Sequence, residues 1–471
     1  MNTPVVDFVR RYAQQRTARM HMPGHKGRGP LGCEELDITE IAGADELYEA
    51  EGIIAQSEAN ATQLFGTART YYSTEGSSQC IRAMLHLALQ MRPAKAGRPV
   101  LLAARNAHKA LLYAAALLDF DIQWLWPAPD AAGALCTCPV EPEALSSALD
   151  ELSAEGRTPF GVYLTSPDYL GFMQDVAGLS AVCHAHGLPL LVDNAHGAYL
   201  HFLKEGGRHP IQLGADLCCD SAHKTLPVLT GGAYLHLGTS VQADEAAVRN
   251  ALALFGSTSP SYLILQSLDA ANAVLADGFR EKLDICRWRL GMLCRELDAL
   301  RPGLALPLTG AHREPLKLTL DAAVLGLSGQ QLAQALRERG VECEYADPRY
   351  IVLMPSAESS AAEFACLQTA LHAICGEAPA ADVSVTTDDP AAFAALAGAL
   401  EAQPRRFTIR EAVLSPQEMI PAAEAVGRIC AAPAVSCPPA IPIVVSGETV
   451  PPEALPLFAR YGIEKVAVVK E

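Results

Sequence analysis

The sequence is poor in basic charge, aromatic side chains, paired cysteines and long apolar runs, and each shortage excludes something. Lysine and arginine number 36 against 53 aspartates and glutamates, a formal net charge of −17. Nucleic acids and anionic membranes are bound by basic surfaces, so neither is expected as a partner. Aromatics make up 6% of the chain while alanine is abundant, which favours helices packed on sheets over an all-β fold. The 14 cysteines are dispersed, and none forms a CxxC pair. "CTC" at 136–138 and "CC" at 218–219 have the wrong spacing for zinc, so no metal is expected. The thiols read as reduced and mostly buried, as in a cytoplasmic protein. No apolar run reaches the length of a membrane span. The opening "MNTPVVDFVRRYAQQRTARM" scatters its charges and lacks the apolar centre of a secretion signal.

What is present is bulk and alternation. Half of the 471 residues are hydrophobic, enough for a large core and more than one domain. From about residue 65 to 240, short apolar runs alternate with helical patterns. "RPVLLAA" (98–104), "FDIQWLW" (120–126), "FGVYLTS" (160–166), "LPLLVDN" (188–194) and "ADLCCDS" (215–221) read as buried strands. "AHKALLYAAALL" (107–118) and "VAGLSAVCHAHG" (176–187) read as helices between them. That alternation specifies an α/β fold with a mostly parallel sheet flanked by helices. Past about residue 262 come long amphipathic helices, then a smaller α/β unit, then a proline-rich, loop-dominated segment. The domain reading is 1–30 as an N-terminal segment, 31–300 as the large domain, 301–376 as the small one and 377–471 as a C-terminal one.

Ligands of parallel α/β sheets bind at the carboxyl ends of the strands, which directs attention to the residues just past them. Gly76, Ser77 and Ser78 open a helical run, where free N–H groups, the helix dipole and hydroxyls would suit a phosphate; an ordinary N-cap looks the same. Asp193 ends the run "LPLLVD", where a helix cap is the plain alternative. His108 follows another strand, as a stacking ring or a satisfied core histidine. Lys224, in "DSAHKTLPVLTGG", follows an apolar run and has no charged residue for the next several positions. A phosphorylated pyridine aldehyde needs its phosphate held, its ring covered, its nitrogen kept protonated and its aldehyde bound to an amine. Ser77 and Ser78, His108, Asp193 and Lys224 match those four needs, which points to pyridoxal 5′-phosphate.

The ordered series "HMPGHKGR", "DITEIAGADELY", "YYSTEGSSQCIRAM", "RNAHKAL", "TSPDYLGFMQDV", "LLVDNAHGAYLHF", "DSAHKTLPVLTGGAYLH" and "STSPSYLILQSLDAA" resembles the fold type I ornithine/lysine/arginine decarboxylases. "IREAVLSPQEMIPAAEAVGRICA" is similar to that family's C-terminal domain. The resemblance covers nearly the whole chain. It implies the pyridoxal phosphate-dependent transferase-like fold, with a seven-stranded-type sheet plus smaller α/β and C-terminal domains. It makes Lys224 the amine joined to the cofactor and Asp193 the partner of its ring nitrogen. His108 would stack on the ring, with Ala195 beneath it and His196 close by. Gly76, Ser77, Ser78, Ser221 and His223 would bind or flank the phosphate. Thr258 and Ser259 would reach the phosphate of a neighbouring subunit, which implies a homodimer with active sites at its interface, or a higher assembly built from such dimers. Longer members carry a receiver-like domain before "PGHK", expected to be missing here.

The reaction so implied is decarboxylation of arginine, lysine or ornithine to the amine and CO₂, in polyamine-type metabolism. A cationic substrate needs an acidic group at its distal nitrogen, for which Asp45, Glu46 and Glu448 are candidates. His25 and Lys26 of the "PGHK" segment are further substrate-side candidates. Where many members read "PYPPGIP…PGE", this chain has Cys437, Ala440 and Ser446 at the changed positions, and Glu75 stands where asparagine is frequent. The alternative enzyme reading is another fold type I reaction, an aminotransferase or a β-eliminating lyase. Arg349 could then hold the α-carboxylate, although it also fits an ordinary strand start. A non-catalytic homologue would have no need of Lys224, Asp193 and His108 together.

Overall fold

The computed structural model describes residues 1–92, 97–128, 135–378, 390–403, 406–433 and 441–470. The main sheet has seven short strands: β1 (Arg69–Ser73), β2 (Val100–Ala104), β3 (Asp121–Leu125), β4 (Val162–Thr165), β5 (Leu190–Asp193), β6 (Leu217–Asp220) and β7 (Ala233–Leu237). Their order is β1-β7-β6-β5-β4-β2-β3. All residues of β2, β5, β6 and β7 are buried, as continuous apolar runs in a sheet covered on both faces should be. The five strands and two helices read from the sequence are present, trimmed by at most two residues at either end. Strands β1 and β7 are additions to that reading. No helix-length crossover separates β6 from β7, so the strand–helix alternation gives no cue there.

By internal contacts the chain divides into two units, Met1–Pro93 with Val176–Asp284, and Ala94–Asp175 with Ile285–Glu471. In the first, β5 and β6 are parallel, while β7 runs antiparallel to both β6 and β1. Strands β1, β5 and β6 therefore point the same way and end at one edge. In the second, β2 pairs in parallel with β3 and β4. That unit also holds an antiparallel sheet of β8 (Leu318–Asp321), β9 (Tyr345–Ala346) and β10 (Tyr350–Leu353), and an antiparallel pair, β11 (Gln417–Pro421) and β12 (Lys465–Val469).

The proline-rich C-terminal segment is more regular than its composition suggests, since it also carries the helices Pro390–Ala402, Ile409–Leu414 and Ala454–Arg460. Val444, Val450, Phe458, Val466 and Val468 from this segment pack with Tyr345 and Val352 of the small sheet in one buried cluster. Burying each such side chain contributes roughly 1.5–3 kcal/mol. Cys437 and Ala440 lie outside the described residues. All described cysteines are free, and no described helix is long and apolar enough to cross a membrane.

Candidate functional site

Three loops leave the shared edge of the first unit, after β1, β5 and β6. The loop after β6 returns to β7 through residues 221–232 and contains a single helical turn, Ala222–Thr225. Its closure is tight. Gly231 has φ +100°, and a Cβ there would lie 3.0 Å from the Thr74 carbonyl oxygen, so glycine is required on both counts. The backbone N–H and ring Nδ1 of His223 both approach the Gly232 carbonyl, at 3.2 and 3.0 Å, which makes Nδ1 a donor. His223 thus braces the loop. On the adjacent half-buried Lys224, Nζ lies 3.1 Å from Nε2 of His196, a buried residue of the loop after β5.

Asp193 is 2% exposed at the end of β5. Its Oδ1 accepts from the Ala195 N–H at 3.1 Å and faces the Cys219 thiol at 3.6 Å, so it closes a two-residue turn and does not cap a helix. After β1, the Gly76 N–H donates to the Gly231 carbonyl at 2.7 Å, which ties this loop to the lysine loop. Gly76 has φ +73° and precedes helix Ser77–Met91, whose N-terminus carries no side-chain cap. Ser77 and Ser78 are therefore not N-caps, and among the described residues the first-turn N–H groups have no side-chain acceptor. The Ser221 hydroxyl donates to Ser77 Oγ at 2.8 Å, so hydroxyls from two loops meet beside that helix end. Glu75 donates its backbone N–H to Ser73 Oγ in the same turn.

Behind this edge lies a polar cluster with no counterpart in the sequence reading. Asp220, the last residue of β6, is fully buried and accepts from Asn194 Nδ2 at 2.6 Å. Its other oxygen meets His209 Nε2 at 3.0 Å and His236 Nε2 at 3.1 Å. Burial pushes the Asp220 carboxyl up, but the two imidazoles outweigh burial and hold it below the usual carboxylate range. Burial lowers His236, with Asp220 opposing. His209, Cys218 and Asp220 bring metal-ligand atoms within 4.8 Å of one another. The imidazole–carboxylate separations are those of direct hydrogen bonds, so a proton network accounts for the grouping. The available signal was an apolar strand ending in aspartate and a lone histidine inside the apolar strand "AYLHL".

The remaining candidates fall into distinct surroundings. Within the second unit, His108 is the N-cap of helix Lys109–Leu118 and accepts from the Ala110 N–H through Nδ1 at 3.1 Å. A neutral ring so held carries its proton on Nε2. Glu448 is buried and accepts from both Arg105 terminal nitrogens, at 3.2 and 3.0 Å, and from the Val445 N–H at 2.8 Å. The Arg105 guanidinium lies 4.8 Å from the ring centres of Trp124 and Trp126. Arg349 forms a two-pronged pair with Asp321, with contacts at 3.1 and 2.7 Å. Ser446 is buried near the start of the same C-terminal turn.

Within the first unit, both oxygens of Asp45 are taken up by backbone N–H groups, among them Gly52 at 2.8 Å and Ile54 at 2.9 Å, at the start of helix Ile53–Phe65. Glu46 is exposed, and burial followed by the charges of Glu49, Glu40 and Asp45 raises its carboxyl. His25 Nε2 lies 3.1 Å from Asp37, while the exposed Lys26 donates to the His21 carbonyl. Thr258 and Ser259 are exposed.

The residues at the first unit's edge fit pyridoxal 5′-phosphate by their donor chemistry. They comprise an amine beside an imidazole, a buried carboxylate at a strand end, and an uncapped helix N-terminus flanked by hydroxyls. A Cβ placed on Gly76 would meet nothing within 4 Å, so the approach to that helix end is open. The fold belongs to fold type I of the pyridoxal phosphate-dependent enzymes. The constitutive lysine decarboxylase of E. coli superposes with a TM-score of 0.76 and 19% identity, covering 99% of this chain and 81% of that one. The model of the "Orn/Lys/Arg decarboxylase, major domain" matches residues 3–286, and the chain belongs to that family of amino-acid decarboxylases. Curated relatives of similar length include the Bacillus subtilis protein YaaO, 28% identical over 98% of this chain and 94% of that one. The arginine decarboxylase of the same organism is 27% identical over 96% of this chain and 92% of its own.

Proposed function

We propose that the protein removes the α-carboxylate of a basic L-amino acid as CO₂, with arginine the first candidate and lysine and ornithine the others. The observation that carries this reading is the Lys224 amine 3.1 Å from His196, at the sheet edge that also bears Asp193 and Ser77, in a chain of this family. Arginine comes first because relatives bearing that name match over nearly their whole length. Pyridoxal phosphate, when bound, supplies an electron-accepting ring that stabilises the carbanion left by CO₂.

The protein's residues hold, orient and move protons. Lys224 is the attachment point, and its Nζ and His196 Nε2 form the pair that can pass a proton to the product carbon. Asp193 holds the proton on the ring nitrogen, and its turn to Ala195 keeps the carboxylate from rotating. Ser77, Ser78, Ser221 and the first-turn N–H groups hold the phosphate, with Gly76 leaving them accessible and His223 bracing the loop. His108 is the stacking ring, its orientation set by its own cap bond.

Among the substrate-side carboxylates, Asp45 is occupied as a cap and Glu448 by Arg105, which leaves Glu46, with His25 and Lys26 as companions. In this reading the protein works in the cytoplasm, in polyamine-type metabolism, as a homodimer in which Thr258 and Ser259 complete the partner's phosphate site. Residues 1–30 contribute to the site, and 31–300, 301–376 and 377–471 act as large, small and C-terminal domains. The pairing of Arg349 with Asp321 removes the observation that would favour an aminotransferase.

Purified protein loaded with the cofactor should absorb in the visible and bleach with borohydride. It should then release labelled CO₂ from carboxyl-labelled arginine, lysine or ornithine. Labelled keto acid without CO₂ would sink the proposal.

A further inference from the structure

We propose that Asp220 is a positioning residue of the reaction, acting through Asn194 on the Asp193 turn. The inference rests on the pyridoxal phosphate reading above.

Burying a carboxylate completely is costly unless its partners are well placed. A position needing only packing is better filled by an apolar side chain, as at its strand neighbours Leu217 and Cys218. Asp220 instead gathers donors from across the unit. Asn194 follows β5, His236 lies on β7, and His209 precedes β6. His236 Nδ1 in turn lies 2.8 Å from Thr70 Oγ1 on β1, so the network touches all four of the unit's strands. The His209 tautomer is set by the Ile211 N–H, 3.4 Å from Nδ1, which leaves Nε2 to donate to Asp220.

The bond that matters for the site is the one to Asn194, the residue between Asp193 and Ala195. The Asn194 carbonyl Oδ1 has no hydrogen-bond partner among the described residues, so Asp220 supplies the side-chain hydrogen bond that orients it. Close packing keeps it there, since a Cβ at Gly197 would sit 2.0 Å from that oxygen. The Asn194 N–H is also bonded to the Cys219 carbonyl, at 2.9 Å, one residue before Asp220. Asp220 therefore sets the conformation of the turn that aims Asp193, without itself touching substrate or cofactor. It also immediately precedes Ser221 on the phosphate side.

The test compares wild-type holoenzyme with Asp220→Asn, Asn194→Ala and the double variant. Asp220→Asn keeps the shape and removes the charge; Asn194→Ala removes the carboxamide and with it the hydrogen bond to Asp220. Each single variant should lower kcat by about 10–100-fold, the scale of a small misplacement of a reacting group, while KM changes by less than about threefold. The visible circular dichroism of the bound cofactor should weaken in both. The double variant should be within about threefold of Asn194→Ala, because the two act in series. Asp220→Asn with wild-type kcat and visible circular dichroism, and only a lower Tm, would overturn the proposal. So would a double variant whose loss is the product of the single losses. If Asp220→Asn does not fold, Asn194→Ala decides by itself, since wild-type kcat and dichroism there overturn the route through Asn194. A wild type without a visible band or CO₂ release is a separate outcome, because it overturns the cofactor reading before any variant is compared.

Discussion

At the scale of single residues, the proposed chemistry turns on Lys224 and its neighbour His196. Lys224→Ala should lower turnover at least about a thousandfold, because it removes both the attachment amine and one proton carrier. Borohydride should then fix no cofactor to the chain, which mass spectrometry would read directly. His196→Gln should cost roughly a hundredfold in kcat and leave borohydride attachment intact, since it removes only the proton partner. Asp168 in the loop after β4 offers a titration. Burial pushes its carboxyl up to about 6, against the opposing Phe172 N–H and Lys317. The folded state thus binds this proton more tightly than the unfolded chain. That contribution is present below pH 3.8 and lost as pH rises through 6. Above pH 6 the buried anion costs about 3 kcal/mol. Asp168→Asn keeps an acceptor for the Leu170 and Phe172 N–H groups. It should raise Tm most at pH 8, by roughly half as much at pH 5, and change it little at pH 3.

At the scale of elements, two tethers decide where loops sit. Gly231 lets the lysine loop turn back beneath Thr74. Gly231→Ala should cost about 1–3 kcal/mol by forcing a Cβ into the left-handed region against a carbonyl, and denaturant unfolding would measure it. The second tether joins the end of β2 to the C-terminal segment through Arg105 and Glu448. Glu448→Ala strands a buried guanidinium between two indoles, and such a loss is worth about 3–5 kcal/mol. A large fall in stability with KM unchanged is the expected result. A stable Glu448→Ala protein with KM raised for basic substrates alone would restore Glu448 as the substrate carboxylate.

At the scale of the whole molecule, shared sites have a quantitative signature. Lys224→Ala subunits and Thr258→Glu subunits should each be inactive alone. Refolded together in equal amounts, half of the dimers would be mixed, and one site of each mixed dimer would be wild type on both sides. About a quarter of wild-type activity should return. No recovery, with dimers verified by sedimentation, would place Thr258 in its own subunit's chemistry or outside it.

The strands with continuous apolar runs and the helices between them were legible because each is written in a local pattern. The proposed cofactor residues Ser77, Ser78, His108, Asp193 and Lys224 were singled out the same way, from hydroxyls at a helix start, positions just past strands and a lysine after an apolar run. The β6–β7 return was not legible, because an antiparallel neighbour needs no crossover to announce it. The three candidate carboxylates show a deeper limit. Asp45, Glu46 and Glu448 are equivalent as letters, yet one caps a helix, one is exposed among other acids and one is locked to an arginine 343 positions away in the chain. Asp220 is the same case from the other side, an unremarked aspartate whose nitrogen donors Asn194, His209 and His236 come from three different segments. Fold class, family and the inventory of groups available for chemistry are legible in residues close in the chain, so local patterns suffice for them. Which charges are already spent on one another emerges only in the folded chain, because hydrogen bonds and ion pairs form between segments that the chain order keeps apart.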